Sequence, residues 1–119
     1  MIEAKIIQYL ISEGLSIGTN VYAERPKDIP PCYVVIEKTG SSTDNMITTS
    51  TIAIQSVADS LQGGTMLDAI SINDEIKDAM FDFIEDDEIV RVGLNSDYNY
   101  TDDSTKEYRY QAVFEITHY

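Results

Sequence analysis

An alternation near the C-terminal end narrows the fold more than any other feature. Val90, Val92, Leu94, Ser96, Tyr98 and Tyr100 fall on one side of an extended chain, and Arg91, Gly93, Asn95, Asp97 and Asn99 on the other. After a short acidic tip the pattern returns. Tyr108, Tyr110, Ala112, Phe114 and Ile116 share a face against Arg109, Gln111, Val113 and Glu115. Period two is the repeat of a strand, and two such runs across a short link read as an antiparallel hairpin buried on one face. About ten residues per strand, at roughly 3.3 Å each, reach about 30 Å. A body this small needs less, so the tyrosine-rich end is expected to project beyond it.

Upstream, "IEAKIIQYLISEG" reads as a helix. Ile2, Ile6, Tyr9 and Leu10 recur at helical spacing, and Gly14 suits the left-handed residue after a helix end. A short strand is expected near Val21 to Glu24. The loop after it is kept irregular by Pro26, Pro30 and Pro31, which cannot donate to a ladder. "CYVVIEKTG" is a strand with a nearly continuous apolar centre, ended by Gly40; "GSSTDN" reads as a turn-rich link. "MITTSTIAIQSVA" is the next strand, rich in threonine and isoleucine. Thr65 can cap a second helix, with Asp68 as the distal half of a capping box. That helix runs through "MLDAISINDEIKDAMFDFI", with Met66, Ile70, Ile76, Met80 and Phe83 as its buried stripe. The carboxylates of "EDDE" sit poorly against a helix C-terminal dipole and belong to the loop that follows. The expected architecture is an α+β sandwich of order α-β-β-β-α-β-β, with two helices on a mainly antiparallel sheet and a long C-terminal β-hairpin. At 119 residues it is expected to form a single domain over 1–119.

The formal net charge is −13, which argues against a broad basic face for nucleic acid or an anionic membrane. Such a surface either keeps the protein soluble or lies near DNA without sticking to it. No apolar run approaches the roughly 20 residues that cross a bilayer. The N-terminal segment carries Glu3 where a signal peptide has basic residues. Synthesis in the cytoplasm, without a membrane partner, is the expectation. Cys32 is the one cysteine, in a strand context that suggests burial rather than reactivity.

Chemistry finds little to work with. One histidine, His118, and one cysteine do not make a metal cluster. "DYNYTDDSTKEY" has a superficial calcium-loop spacing, but Asp102 stands at the glycine position and Tyr108 at the bidentate glutamate position. "QGGT" lacks the spacing and lysine of a phosphate loop. A serine nucleophile would need His118 as its base, and nothing in the sequence points to one. Glu85, Asp86, Asp87 and Glu88 form the densest acidic cluster and read as a solvated face. No cofactor and no catalytic residue is expected.

Two features stay open at this level. Four of the eight tyrosines, Tyr98, Tyr100, Tyr108 and Tyr110, lie on the final hairpin. They either stabilise the ribbon by cross-strand packing or serve a protein interface, which tyrosine favours. The Arg25–Pro31 loop is either a plain connector or a contact loop.

"CYVVIEKTG", "TIAIQSVADS" and above all "LNSDYNYTDDSTKEYRYQAVFEITHY" together resemble the tail-terminator, or head–tail joining, proteins of long-tailed bacteriophages. These are also called tail completion or minor capsid proteins. The resemblance runs over nearly the whole chain in matching order. It implies an α/β sandwich and a hexameric ring at the head-proximal end of the tail. It implies a tail tube protein and head connector or neck proteins as partners, a virion location in the tail or neck, and no catalysis. Under it, Tyr98, Tyr100, Tyr108, Tyr110, Arg91 and Arg109 become candidate interface residues. Glu85, Asp86, Asp87 and Glu88 become candidates to line a channel through which genomic DNA passes without specific binding. A neighbouring head-completion protein of the same neck is the alternative. A small ligand-binding domain or enzyme is the third reading.

Overall fold

The computed structural model describes residues 1–101 and 103–119. In chain order the elements are α1 (Ile2–Ser12), β1 (Val21–Tyr22), β2 (Cys32–Asp44), β3 (Ile47–Asp59), α2 (Met66–Asp82), β4 (Ile89–Asn99) and β5 (Glu107–His118). Single 3-10 turns follow β3 (Ser60–Gln62) and α2 (Phe83–Glu85). The strands form a five-stranded sheet of order β1-β2-β3-β5-β4, antiparallel except for the short β1–β2 pair. This is the expected α+β order.

One face of the sheet carries both helices. Ile2, Ile6 and Leu10 of α1, and Ile72, Ile76 and Met80 of α2, meet Val34, Ile36, Ile52, Ile54, Phe114 and Ile116 in one apolar core. Fully burying each such side chain contributes roughly 1.5–3 kcal/mol. Tyr9 ties the helices together, its ring 4.8 Å from that of Phe83 and its hydroxyl donating to the Ala79 carbonyl. Gly14 follows α1 at φ +68°, as a helix end requires. The Thr65–Asp68 capping box is complete in both directions. The α2 stripe differs in detail from its expected form. Ala69, Ile72 and Ala79 are buried, whereas Met66 and Ile70 are only half-buried. The large side chains dominated the pattern, but small alanines allow the close helix–sheet approach.

Three local expectations fail. The first strand is only Val21–Tyr22, because the prolines that follow leave no ladder to extend. Gly40 does not end β2. Thr39 is bulged out between the Lys38–Ile52 and Gly40–Thr51 pairs, and the strand continues to Asp44. The turn is Asn45 and Met46 alone, at φ +50° and +67°. Serine and threonine resemble turn residues in sequence, yet here they pair with Thr48, Thr49 and Ser50 across a long ladder.

The third concerns the last hairpin. β4 does not keep one face throughout. Val90 and Asn95 are each an extra residue against β5, between Ile89–His118 and Arg91–Thr117 and between Leu94–Phe114 and Ser96–Val113. Each bulge reverses the side-chain parity. Val92 and Leu94 therefore face the helices with Ile116 and Phe114, whereas Tyr98 shares the opposite face with Gln111. The tyrosine-rich end does not project either. β5 pairs with β3 along its whole length, from Asp59–Glu107 to Thr48–His118.

Candidate assembly surfaces

The candidate residues separate onto the two faces of the sheet. Tyr98 and Tyr100 stand on the helix-free face, 41% and 47% exposed, with their rings edge-on at 6.2 Å. Arg109 lies 5.0 Å from the Tyr100 ring centroid in a cation–π contact. Gln111 donates to the Tyr98 hydroxyl and accepts from Gln55 at 2.9 Å. Tyr108 and Tyr110 pair with Ala58 and Ser56 of β3, turn toward the helix side and are half-buried. The four tyrosines are thus not one cluster. Arg91 is exposed on the helix-free face, its guanidinium passing over Gly93, and it makes no ion pair among the described residues.

The parity reversal at Asn95 also carries Asp97 to the helix side. There it accepts from Asn73 Nδ2 at 2.8 Å and pairs with Lys77 at 2.5 Å. The hydrogen bond to Asp97 holds the Lys77 amine above its usual range. The bulge thereby fastens the open edge of the sheet to α2. Sequence periodicity assigned Asp97 to the outer face and missed this link.

At the other end of the same ribbon, Glu107 is a buried carboxylate, 4% exposed. It accepts from the Tyr33 hydroxyl and faces Arg25 at 3.5 Å. Burial, reinforced by Glu107, pushes the Tyr33 phenol up to about 12. Tyr22 packs edge-on against Tyr33 at 6.4 Å. The Arg25–Pro31 loop is therefore tied to the base of β5 through Arg25. No sequence pattern joined Arg25, Tyr33 and Glu107, because they come from three separate segments.

The acidic cluster divides as well. Glu85, Asp87 and Glu88 are exposed and Asp86 is half-buried. Lys5 of α1 reaches Asp86 at 3.3 Å and Glu88 at 3.2 Å. The Glu88 backbone N–H, which donates to Asp86, lowers that carboxyl below its ordinary value.

Among the described residues no three histidine, cysteine, aspartate or glutamate side chains converge to hold a metal ion. Asp102 of the rejected calcium loop lies outside those residues. The structure does bring Ser50 Oγ within 2.9 Å of His118 Nε2, a pair the sequence gave no reason to expect. Ser50 is 1% exposed on the covered face, so no substrate carbonyl can reach its oxygen. His118 Nδ1 faces the Tyr119 carbonyl rather than an orienting carboxylate. Cys32 is half-buried, with burial raising its thiol pKa, which opposes reactivity. It sits in a shallow cleft of about 350 Å³ with Ser16, Asn20, Asp68 and Ser71. No described helix is long and apolar enough to cross a membrane.

Among solved structures, the fold is shared with a chain of the structure described as "Virion of native gene transfer agent (GTA) particle". The match has a TM-score of 0.73 at 16% identity and covers 98% of this chain and 92% of that chain. At that identity the likeness is one of fold. No family model and no curated protein matches the sequence.

Proposed function

We propose that this chain is a structural protein of a phage-like virion. It forms a ring, a hexamer, at the head-proximal end of a tail, where it stops tail-tube polymerisation and joins the tail to the head connector. The single observation that carries this reading is the end-to-end fold match to a chain of a virion particle. The tail position rests instead on the sequence resemblance to tail terminators, and the α-β-β-β-α-β-β order of the fold accords with it. A non-enzymatic role accords with a Ser–His pair that is sealed from substrate.

In this reading the whole of 1–119 acts as one unit. Its partners are further copies of itself, a tail tube protein and the head connector or neck proteins, and it resides in the virion. Tyr98, Tyr100, Arg91 and Arg109 contribute to contacts from the helix-free face; Tyr108 and Tyr110 act from the half-buried side. Genomic DNA passes through the ring without specific binding, and the exposed carboxylates of Glu85, Asp87 and Glu88 keep the duplex from adhering. A ring whose lumen is neutral or basic would remove that last assignment.

Deleting the gene from the phage or prophage that carries it and imaging the lysate by negative stain tests the function. Overlong tails unattached to filled heads are the expected result. Normal tails beside leaking heads would move the chain to the head side of the neck. Intact infectious particles would overturn the structural role.

A further inference from the structure

Both lateral edges of the sheet are open, and their open stretches lie at the same height. On the β2 side, β1 pairs only with Val34 and Val35, so no described strand covers the segment Gly40–Asp44. On the other side β4 is the outermost strand. Edge strands are usually blunted by bulges, and the bulges here leave two regular segments between or beyond them. These are Gly40–Asp44 and Arg91–Leu94. Following the ladders across the sheet, Gly40 aligns with Thr51, Glu115 and Gly93. Ser41 aligns with Ser50, Ile116 and Val92, and Ser42 with Thr49, Thr117 and Arg91. Three antiparallel pairings make β2 and β4 run in opposite directions.

The geometry points to a head-to-tail contact in which Arg91–Leu94 of one copy pairs, antiparallel, with Gly40–Asp44 of the next. This rests on the ring reading and names its lateral surface. A copy displaced sideways by one sheet width sets Gly93 opposite Gly40 and Val92 opposite Ser41, with small residues letting the backbones approach. Charge complements the fit. Arg91, a cation without an ion pair among the described residues, meets Ser42 and lies diagonal to Asp44 on the same face. Its guanidinium, over Gly93 in the single copy, reaches Asp44 by turning back along the strand. The tip supplies a further sign. Met46 is 86% exposed and holds φ +67°, a conformation that an unbranched L side chain adopts only at a conformational cost. Within its own fold Met46 covers nothing. In the neighbouring copy the tip falls beside the turn into β4, where Ile84 and Val90 are 47% and 42% exposed. A contact that uses two different edges leaves one of each free at every addition, so it closes only by rotation, as a ring does.

The test is disulfide trapping in particles and in the concentrated purified chain. Cys32→Ser supplies a cysteine-free background, into which Ser41→Cys and Val92→Cys are placed together and singly. Within one copy the two positions are separated by three strand spacings, about 14 Å, beyond disulfide reach. Only an intermolecular pair can link them. Covalent ladders that need both cysteines are expected. Arg91→Glu and Asp44→Arg should each weaken assembly at least tenfold, and the two together should restore it. Met46→Gly should leave the melting temperature equal or higher while weakening assembly. A closed oligomer of normal size that yields no ladder and ignores the charge reversals would overturn the edge contact and leave the ring reading standing. Linking by either cysteine alone would mean a two-fold pairing and overturn the head-to-tail contact. A single copy per particle would overturn the ring itself.

Discussion

The β2–β3 and β4–β5 hairpins have nearly equal strands, 13 and 13 residues against 11 and 12, and their tips point to opposite ends of the sheet. Aromatic crowding made β4–β5 the conspicuous ribbon in sequence. In the fold β5 is an interior strand between β3 and β4, with Ala112, Phe114 and Ile116 fully buried beneath the helices. The bland serine–threonine run of β2 instead gives an edge exposed from Glu37 to Met46. Each hairpin thus has one interior strand, β3 or β5, and one strand with an open edge, β2 or β4. Position in the sheet, rather than the prominence of side chains, decides which backbone is free to meet a partner.

The contrast can be broken most severely at Phe114. Replacing it with alanine should cost about 3–5 kcal/mol, read from chemical denaturation, because the cavity opens under an interior strand. A cost below about 1 kcal/mol would mean β5 is not interior. Next comes the clasp at the base of β5. Tyr33→Phe removes the hydroxyl donor to buried Glu107 and should cost about 1–3 kcal/mol near neutral pH. The pH dependence follows from the raised phenol, which favours the neutral form in the folded state. Its contribution is fully present below the unfolded value of 10.0 and lost as pH rises through about 12. The stability gap between wild type and Tyr33→Phe should therefore narrow from pH 10 to 12. A gap that stays constant would detach the phenol from the clasp.

Smaller effects sharpen the difference between fold and contact. Tyr100→Ala removes an exposed cation–π pair and should cost about 0.5–1 kcal/mol while lowering assembly. Full assembly in that variant would end the interface role of the outer tyrosines. Thr43→Ala, near the β2–β3 tip, should change stability by less than about 0.5 kcal/mol. A larger loss in thermal denaturation would place that tip inside the cooperative core.

Much of the fold was legible in the residues. The α1 spacing, the Thr65 capping box and the β5 alternation are local signals, and each produces the element it predicts. The failures along β2 and β4 share one physical origin, the bulge, whereas β1 is cut short by the prolines after it and the α2 stripe is set by small alanines. A bulge at Thr39, Val90 or Asn95 inserts one residue against a partner strand, so its position depends on the ladder opposite rather than on its own sequence. Periodicity carried past Asn95 placed Tyr98 and Tyr100 with Leu94, and Asp97 away from Lys77. The Arg25–Tyr33–Glu107 clasp was hidden for a similar reason, since strand order alone brings its members together. Tyr98, Tyr100 and Arg91 were identifiable as surface candidates. That β2 would run on through Gly40–Asp44 as an exposed edge was not, because serine and threonine suit a turn and an edge strand equally.

A cryo-EM reconstruction of the particle neck is the most direct test of the central claim. The account predicts six copies in a closed ring between the last tail-tube ring and the head connector, with β4 of each against the distal half of β2 in the next. A neck with this chain absent, or present as isolated copies on the outside of the particle, would contradict it.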